Sequence, residues 1–377
     1  YPARNTEQEV YDFIIKECEE AAEDMVVTPI AGRASKWAAL ALGGKAALYA
    51  GSIAKYGTVQ MNGIVGIPAE KAKSYYEKAR DLNYIIKTTS PHSLYTGSGK
   101  DKVQDLKDIF LIKDNPEAIM VKRHQGVGGG KNLWSWDMCV CPKPNAWSVG
   151  WYSQPYYDFV EQFDFIDGTS GKIDRNYLTS KTWTMDEFFG QRDPRLRAWL
   201  WTNGTPWPGA VGKPAFDDNT VSIYRGLRFK DGSEYFNLTA ETYQGVLCYG
   251  DQVRELAGGY DTGFGVAKYL DPAADVMTWF VYSTGDYLIF RYAEVVLNYA
   301  EACLELGENG NALSAVNEIR SRAGVANLTS ITTESYRKER MVELCFENHR
   351  YWDLRRWRQA VEELNGPHDG LVYVLDW

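Results

Sequence analysis

The feature that most limits what this chain can fold into is where its helical periodicity stops. Val10, Ile14, Cys18, Ala21 and Met25 recur at helical spacing, which predicts a helix over 7–25. A second helix is expected over 35–56, with Ser35 as N-cap, and a third over 69–87, just after Pro68. Gly43, Gly44, Ala46, Ala47, Ala50 and Gly51 make much of the second helix small, so a neighbour can approach it closely. Helical patterns resume over 287–306 and 310–323, followed by Gly307 and Gly324, and again over 333–348 and 353–364. Between them, 88–286 offers only a short candidate at 155–165. A structureless loop of that length does not fit a compact domain, so this stretch must pack on itself and on the helices. Helix pairs repeating at roughly 34 residues cannot bury their apolar faces singly, and stacking solves that. The expected fold is mainly α: a tetratricopeptide-like superhelix of helical hairpins with an irregular, loop-rich subdomain inserted. The expected division is 1–87, 88–286 and 287–377.

Charge and cysteine usage narrow the function. The formal charge of −9 argues against a nucleic-acid partner, because neutralising phosphates needs a basic field. No apolar run approaches a membrane helix. The six cysteines do not form a metal-ligand pattern with the four histidines: Cys139 and Cys141 are the only close pair, and two further ligands at suitable spacing are missing. No metal or cofactor is expected. Cys18, Cys303 and Cys345 are expected on apolar helix faces.

Several motifs fail on inspection. The run Gly126 to Lys131 suggests a phosphate loop, but Gln125 stands where the first glycine belongs and Asn132 where Ser or Thr would meet magnesium. Neither a Gly-x-Ser-x-Gly elbow nor a His-Glu-x-x-His pair is present. The acidic residues Asp137, Asp158, Glu161, Asp186 and Glu187 show no arrangement that marks a glycosidase. No enzyme activity is expected. The basic cluster Arg350, Arg355, Arg356 and Arg358 is better read as structural, pairing with Glu339, Glu343, Glu347 and Asp353 between helices.

What remains is aromatic. The stretch 88–286 holds 9 of the 13 Trp, although helical patterning is weakest there. Trp134, Trp136, Trp147 and Trp151 crowd together among Gly and Pro, with Asp137 and Asn145 beside them. Trp on loops is costly to expose unless it binds something. Sugars are the natural candidates, since their C–H faces stack on rings while Asn and Asp bond hydroxyls. The alternative is plain packing beneath loops.

Longer motifs give a family resemblance. Arg291-Tyr292-Ala293-Glu294-Val295-Val296-Leu297-Asn298-Tyr299-Ala300-Glu301-Ala302 resembles a signature of SusD/RagB proteins, surface nutrient-binding lipoproteins of Bacteroidetes. Ala315 to Gly324 resembles the family's next helix, and Glu339 to Trp357 its "ERxxELxFE" and "DLxRW" ending. Upstream, Gly32 to Leu42, Pro155 to Gly168 and Arg192-Asp193-Pro194-Arg195-Leu196 resemble further family segments. The resemblance implies a tetratricopeptide-like superhelix at the outer face of the outer membrane. It implies non-catalytic capture of oligosaccharides for a SusC-like TonB-dependent transporter. The lipid anchor and first helices of such proteins would precede Tyr1. The family's aromatic arc points by position to Trp134, Trp136, Trp147 and Trp151, with Asp137 and Asn145 as hydroxyl partners. The competing reading is a scaffold that binds a peptide or protein in its groove.

Overall fold

The computed structural model of the chain describes residues 3–124, 136–141, 153–206, 221, 223–235, 242–243, 246–247, 262–271 and 283–376. Three long helices open it: α1 (Glu7–Asp24), α2 (Lys36–Tyr56) and α3 (Ala72–Thr89). Thr6 and Glu9 form a capping box that starts α1, satisfying amide donors the first turn leaves free. The glycines of α2 let its neighbours in. A Cβ at Gly51 would stand 3.0 Å from the Tyr76 ring on α3, and one at Gly43 3.0 Å from the Cys18 Cβ on α1.

The middle of the chain is built from short pieces. They are α4 (Lys102–Leu111), α5 (Trp136–Val140), α6 (Tyr157–Val160), α7 (Arg175–Thr179), α8 (Met185–Phe189) and α9 (Pro194–Trp199). The strands are β1 (Ala118–Lys122), β2 (Leu200–Thr202), β3 (Tyr224–Arg228), β4 (Glu234–Tyr235), β5 (Thr242–Tyr243), β6 (Val246–Leu247) and β7 (Phe264–Val266). β8 (Tyr287–Arg291) pairs antiparallel with β1, and β2 with β7. The chain then returns to helix: α10 (Tyr292–Glu305), α11 (Asn309–Ala323), α12 (Thr333–Glu343), α13 (Arg350–Arg356) and α14 (Ala360–Leu364). β9 (Tyr373–Asp376) joins β3 in parallel. The fold is mainly helical, with antiparallel hairpins of tetratricopeptide type and no barrel among the described strands.

Four details depart from the periodicity. The helix expected from 287 begins at Tyr292, because Tyr287–Arg291 finds a strand partner in β1. The helix expected over 333–348 ends at Glu343, and Phe346 and Asn348 take positive φ. The carbonyls freed by that break, Glu343 and Cys345, accept from Lys268 Nζ at 2.9 and 3.0 Å. The expected helix over 353–364 is two pieces, broken at Arg358 with φ 60°. Helix α4 lies inside the stretch that shows little helical pattern. It is held by Asp101, whose carboxylate accepts from the amides of Val103 and Gln104.

Two buried ionic networks join these parts. In the first, Arg195, Lys268, Arg291, Arg320 and Arg322 face Glu117, Asp193, Glu339, Glu343 and Glu347. Glu343 is fully buried and takes bonds from Arg195 (3.0 Å), Arg291 (2.8 Å) and Arg322. In the second, Asp353 bridges Arg340 (2.7 Å) and Arg356 (2.9 Å). Arg356, Trp357 and Tyr336 converge on Glu301. Of the C-terminal basic cluster only Arg356 is built into this network. Arg350 pairs with Glu363 at 3.0 Å, while Arg355 and Arg358 bond at the surface.

Removing one member should be costly. Glu343→Gln is expected to lower stability by roughly 3–5 kcal/mol, because three guanidiniums lose their shared counter-charge in a dry site; urea unfolding checks this. Acid should act in two windows. Burial drives the His349 imidazole down to about 4, so below about 6.5 the unfolded chain takes the proton first and stability falls. Burial opposes ionisation of Glu347, but Arg291 and Lys268 more than offset it and hold the carboxyl at about 2. That stability is present above the ordinary Glu value and is lost as pH falls towards 2. Thermal melts from pH 8 to 2 should show the lower window directly, and the difference between wild type and His349→Gln should carry the upper one, because it isolates His349 from other groups that titrate between pH 4 and 7.

Candidate ligand-binding site

Of the six residues expected to bind ligand, Trp134, Asn145, Trp147 and Trp151 lie outside the described residues. Trp136 and Asp137 open helix α5 side by side. The Trp136 ring is half-buried, and its indole N–H donates to the Lys268 carbonyl at 2.8 Å. The ring meets Tyr269 edge-on at 6.4 Å. Asp137 is only 3% exposed, and its amide donates to Ser283 Oγ at 3.0 Å. At the other end of α5, the Val140 carbonyl accepts from Trp201 Nε1 at 2.8 Å. Helix α5 is thus stapled to β2, to the 268–271 turn and to Ser283. The two segments that flank it hold the remaining expected residues.

Burial pushes the Asp137 carboxyl up to about 7. The Ser283 hydroxyl and the Asp271 amide partly offset this, and the Asp271 charge adds to it. One oxygen, Oδ1, has no partner among the described residues.

Periodicity and Trp density give no hint of a second aromatic surface. Tyr156 is 48% exposed and lies stacked on His368, with ring centroids 4.7 Å apart. Tyr177, 55% exposed, meets Trp183 edge-on at 5.5 Å. Between them runs a line of charges. Arg175 grips Glu161 at 2.5 and 3.1 Å and Asp369 at 3.0 Å, and lies 3.8 Å from Asp158. A groove of about 880 Å³ opens beside this surface, between the start of α6 and helices α12–α14. Phe159, Arg337, Met341, Phe346 and His368 are among its walls. That volume is within the range of small-molecule sites. Tyrosines on or beside such short helices could be found from sequence only by first knowing those helices. No group of three or more metal-ligating side chains occurs among the described residues.

The sequence profile of the SusD family matches residues 116–375, and the chain belongs to that family. A SusD-like protein P38 of Formosa agariphila is 35% identical over 98 residues, 22% of this chain and 19% of that protein. A SusD-like protein of Bacteroides ovatus is 39% identical over 74 residues, 18% of this chain and 13% of that protein. Among solved structures, a SusD-like carbohydrate-binding protein of Bacteroides fragilis superposes with a TM-score of 0.66 at 21% identity, covering 96% of this chain and 60% of that one. A second SusD-like protein of that species gives 0.64 at 24%, covering 94% and 61%. A further structure, solved with xylogluco-oligosaccharide, gives 0.61 at 21%, covering 96% and 58%. The chain therefore spans about three-fifths of the length of these structures.

The environment of Asp137 yields a test of the anchor. A folded value raised above the unfolded one means that stability is lost as pH rises from about 4 to 7. Asp137→Asn is expected to leave stability unchanged at pH 4. At pH 8 it should raise stability by up to about 4 kcal/mol. Urea unfolding at the two values checks the sign.

Proposed function

We propose that the chain binds oligosaccharides at the cell surface without cleaving them. It would hand them to a TonB-dependent transporter of the outer membrane. The full protein would be held at that membrane by a lipid anchor. The observation that carries this reading is the coincidence of family membership with the Trp-rich segments on either side of α5. The likeness to a structure solved with xylogluco-oligosaccharide supports the ligand class.

In this reading Trp134, Trp147 and Trp151 offer ring faces, and Asn145 bonds hydroxyls. Trp136 and Asp137 contribute at the base of the site, where α5 is fixed. Each stacking contact is worth on the order of 1 kcal/mol. Two or three such contacts, less the cost of ordering the sugar, give micromolar to millimolar affinity. Such affinity suits a protein that must release its cargo to a transporter. Chemistry is not needed for this role, and carboxylates such as Asp158 and Glu161 are engaged with Arg175.

Tryptophan fluorescence titrations with plant, microbial and mucin oligosaccharides test the reading. Wild type should show a saturable shift, and Trp134→Ala and Trp147→Ala should each abolish it. A protein that responds to peptides and to no sugar would overturn the reading in favour of a peptide-binding scaffold.

A further inference from the structure

We infer that the surface running from Tyr156 to Tyr177 is a second carbohydrate-contact region, one that selects neutral over acidic sugars. It rests on the oligosaccharide-binding reading above but uses none of the Trp-rich segment.

The two tyrosines are held in place, which is what a sugar platform requires. Tyr156 is backed on one side by the His368 imidazole, at 4.7 Å and an interplanar angle of 21°. Tyr177 is backed by Trp183, whose own position is fixed from three sides. Its indole N–H donates to the Leu178 carbonyl at 2.8 Å, Lys181 Nζ lies 4.0 Å from its ring centre, and Phe188 meets it edge-on at 5.5 Å. Trp183 is thus spent on packing, and the ring left to solvent is Tyr177. An ordered, half-exposed ring loses little conformational freedom when a pyranose stacks on it.

A chain of polar contacts leads from His368 to the helix that carries Tyr177. His368 Nδ1 lies 3.5 Å from Asp158, and the Asp369 amide donates to Asp158 Oδ2 at 2.7 Å. Asp369 in turn accepts from Arg175, the first residue of α7, which also carries Tyr177. One guanidinium serves three carboxylates here: Asp158, Glu161 and Asp369. Asp158 and Asp369 have side chains 42% and 59% exposed. Ionised carboxylates are acceptors only, so their spare lone pairs need donors. Sugar hydroxyls supply them. Against the three carboxylates stand Arg175 and, behind Glu161, the buried Arg192, so the cluster keeps a net negative charge, which repels uronic or sulfated rings.

Calorimetric titration of the 377-residue chain tests this. The probes are neutral xylogluco-, malto- and manno-oligosaccharides and an oligogalacturonide. The variants are Tyr156→Ala, Tyr177→Ala and Trp147→Ala, each checked for an unchanged melting temperature. Wild type should bind at least one neutral probe more tightly than the oligogalacturonide. Tyr156→Ala and Tyr177→Ala should each weaken it about fivefold or more. Wild-type affinity in both tyrosine variants, with loss in Trp147→Ala, would overturn this inference and leave the oligosaccharide reading standing. Preference for the oligogalacturonide would overturn the charge argument. Binding of no probe would sink both.

Discussion

Glu343 is the point on which the two halves of this architecture are registered. Its carboxylate takes bonds from Arg195 in the short-element middle, from Arg291 at the entrance to α10 and from Arg322 on α11. Each of these groups is almost wholly buried. Removing a charge from water costs several kcal/mol, recovered only when geometry and remaining hydrogen bonds are complete. Five cations and five carboxylates balance in this network. A different docking of the middle on the helices would strand at least one of them. The helical hairpins alone could stack in more than one register, as apolar faces commonly can. The network admits one.

This also explains why the family resemblance could be read from the sequence at all. Most of the network residues lie in recognisable stretches, although Glu117 and Lys268 do not, and 32–42 and 155–168 are recognisable without supplying a network residue. Arg195 comes from 192–196, Arg291 from the start of α10, and Arg320 and Arg322 from the end of α11. Glu339, Glu343 and Glu347 come from α12 and the turn after it. Asp353, Arg356 and Trp357 complete the second network around Glu301. A buried ion pair fixes residue type and spacing together, whereas an apolar core tolerates exchange among Leu, Ile and Val.

The helical ends were legible because amphipathic stripes depend only on local spacing. What escaped has a non-local cause each time. β8 is a strand because β1, far away in sequence, pairs with it. The break after Glu343 depends on Lys268, whose ammonium collects the carbonyls the helix gives up. Helix α4 is short; Asp101 caps its start, and Asp105 in its first turn accepts from the amides of Ser98 and Gly99 in the preceding loop, contacts that periodicity does not weigh. The site was legible only as a density of tryptophan. Tyr156 and Tyr177 stayed hidden, because their settings depend on non-periodic neighbours, His368 for the one and Trp183 for the other.

Tryptophan density is a weaker guide to ligand than it first looks, and the described indoles show why. Trp37, Trp136, Trp183, Trp199 and Trp201 each donate their N–H to a backbone carbonyl and Trp357 donates to Glu301, whereas Trp352, half-exposed on α13, is the exception among the described indoles. A buried indole must find an acceptor, and loops leave carbonyls unpaired. In a fold with so much irregular backbone, tryptophan therefore acts as a clamp, filling volume with its ring and satisfying a stray carbonyl with its nitrogen. Trp136 and Trp201 do this at the two ends of α5, which fixes the base of the Trp-rich segment. A ring that recognises sugar has the opposite requirement, since it must be held from one side and left open on the other. Tyr156 and Tyr177 meet that requirement, and it is the test by which the rings of 134–151 should be sorted into clamps and contacts.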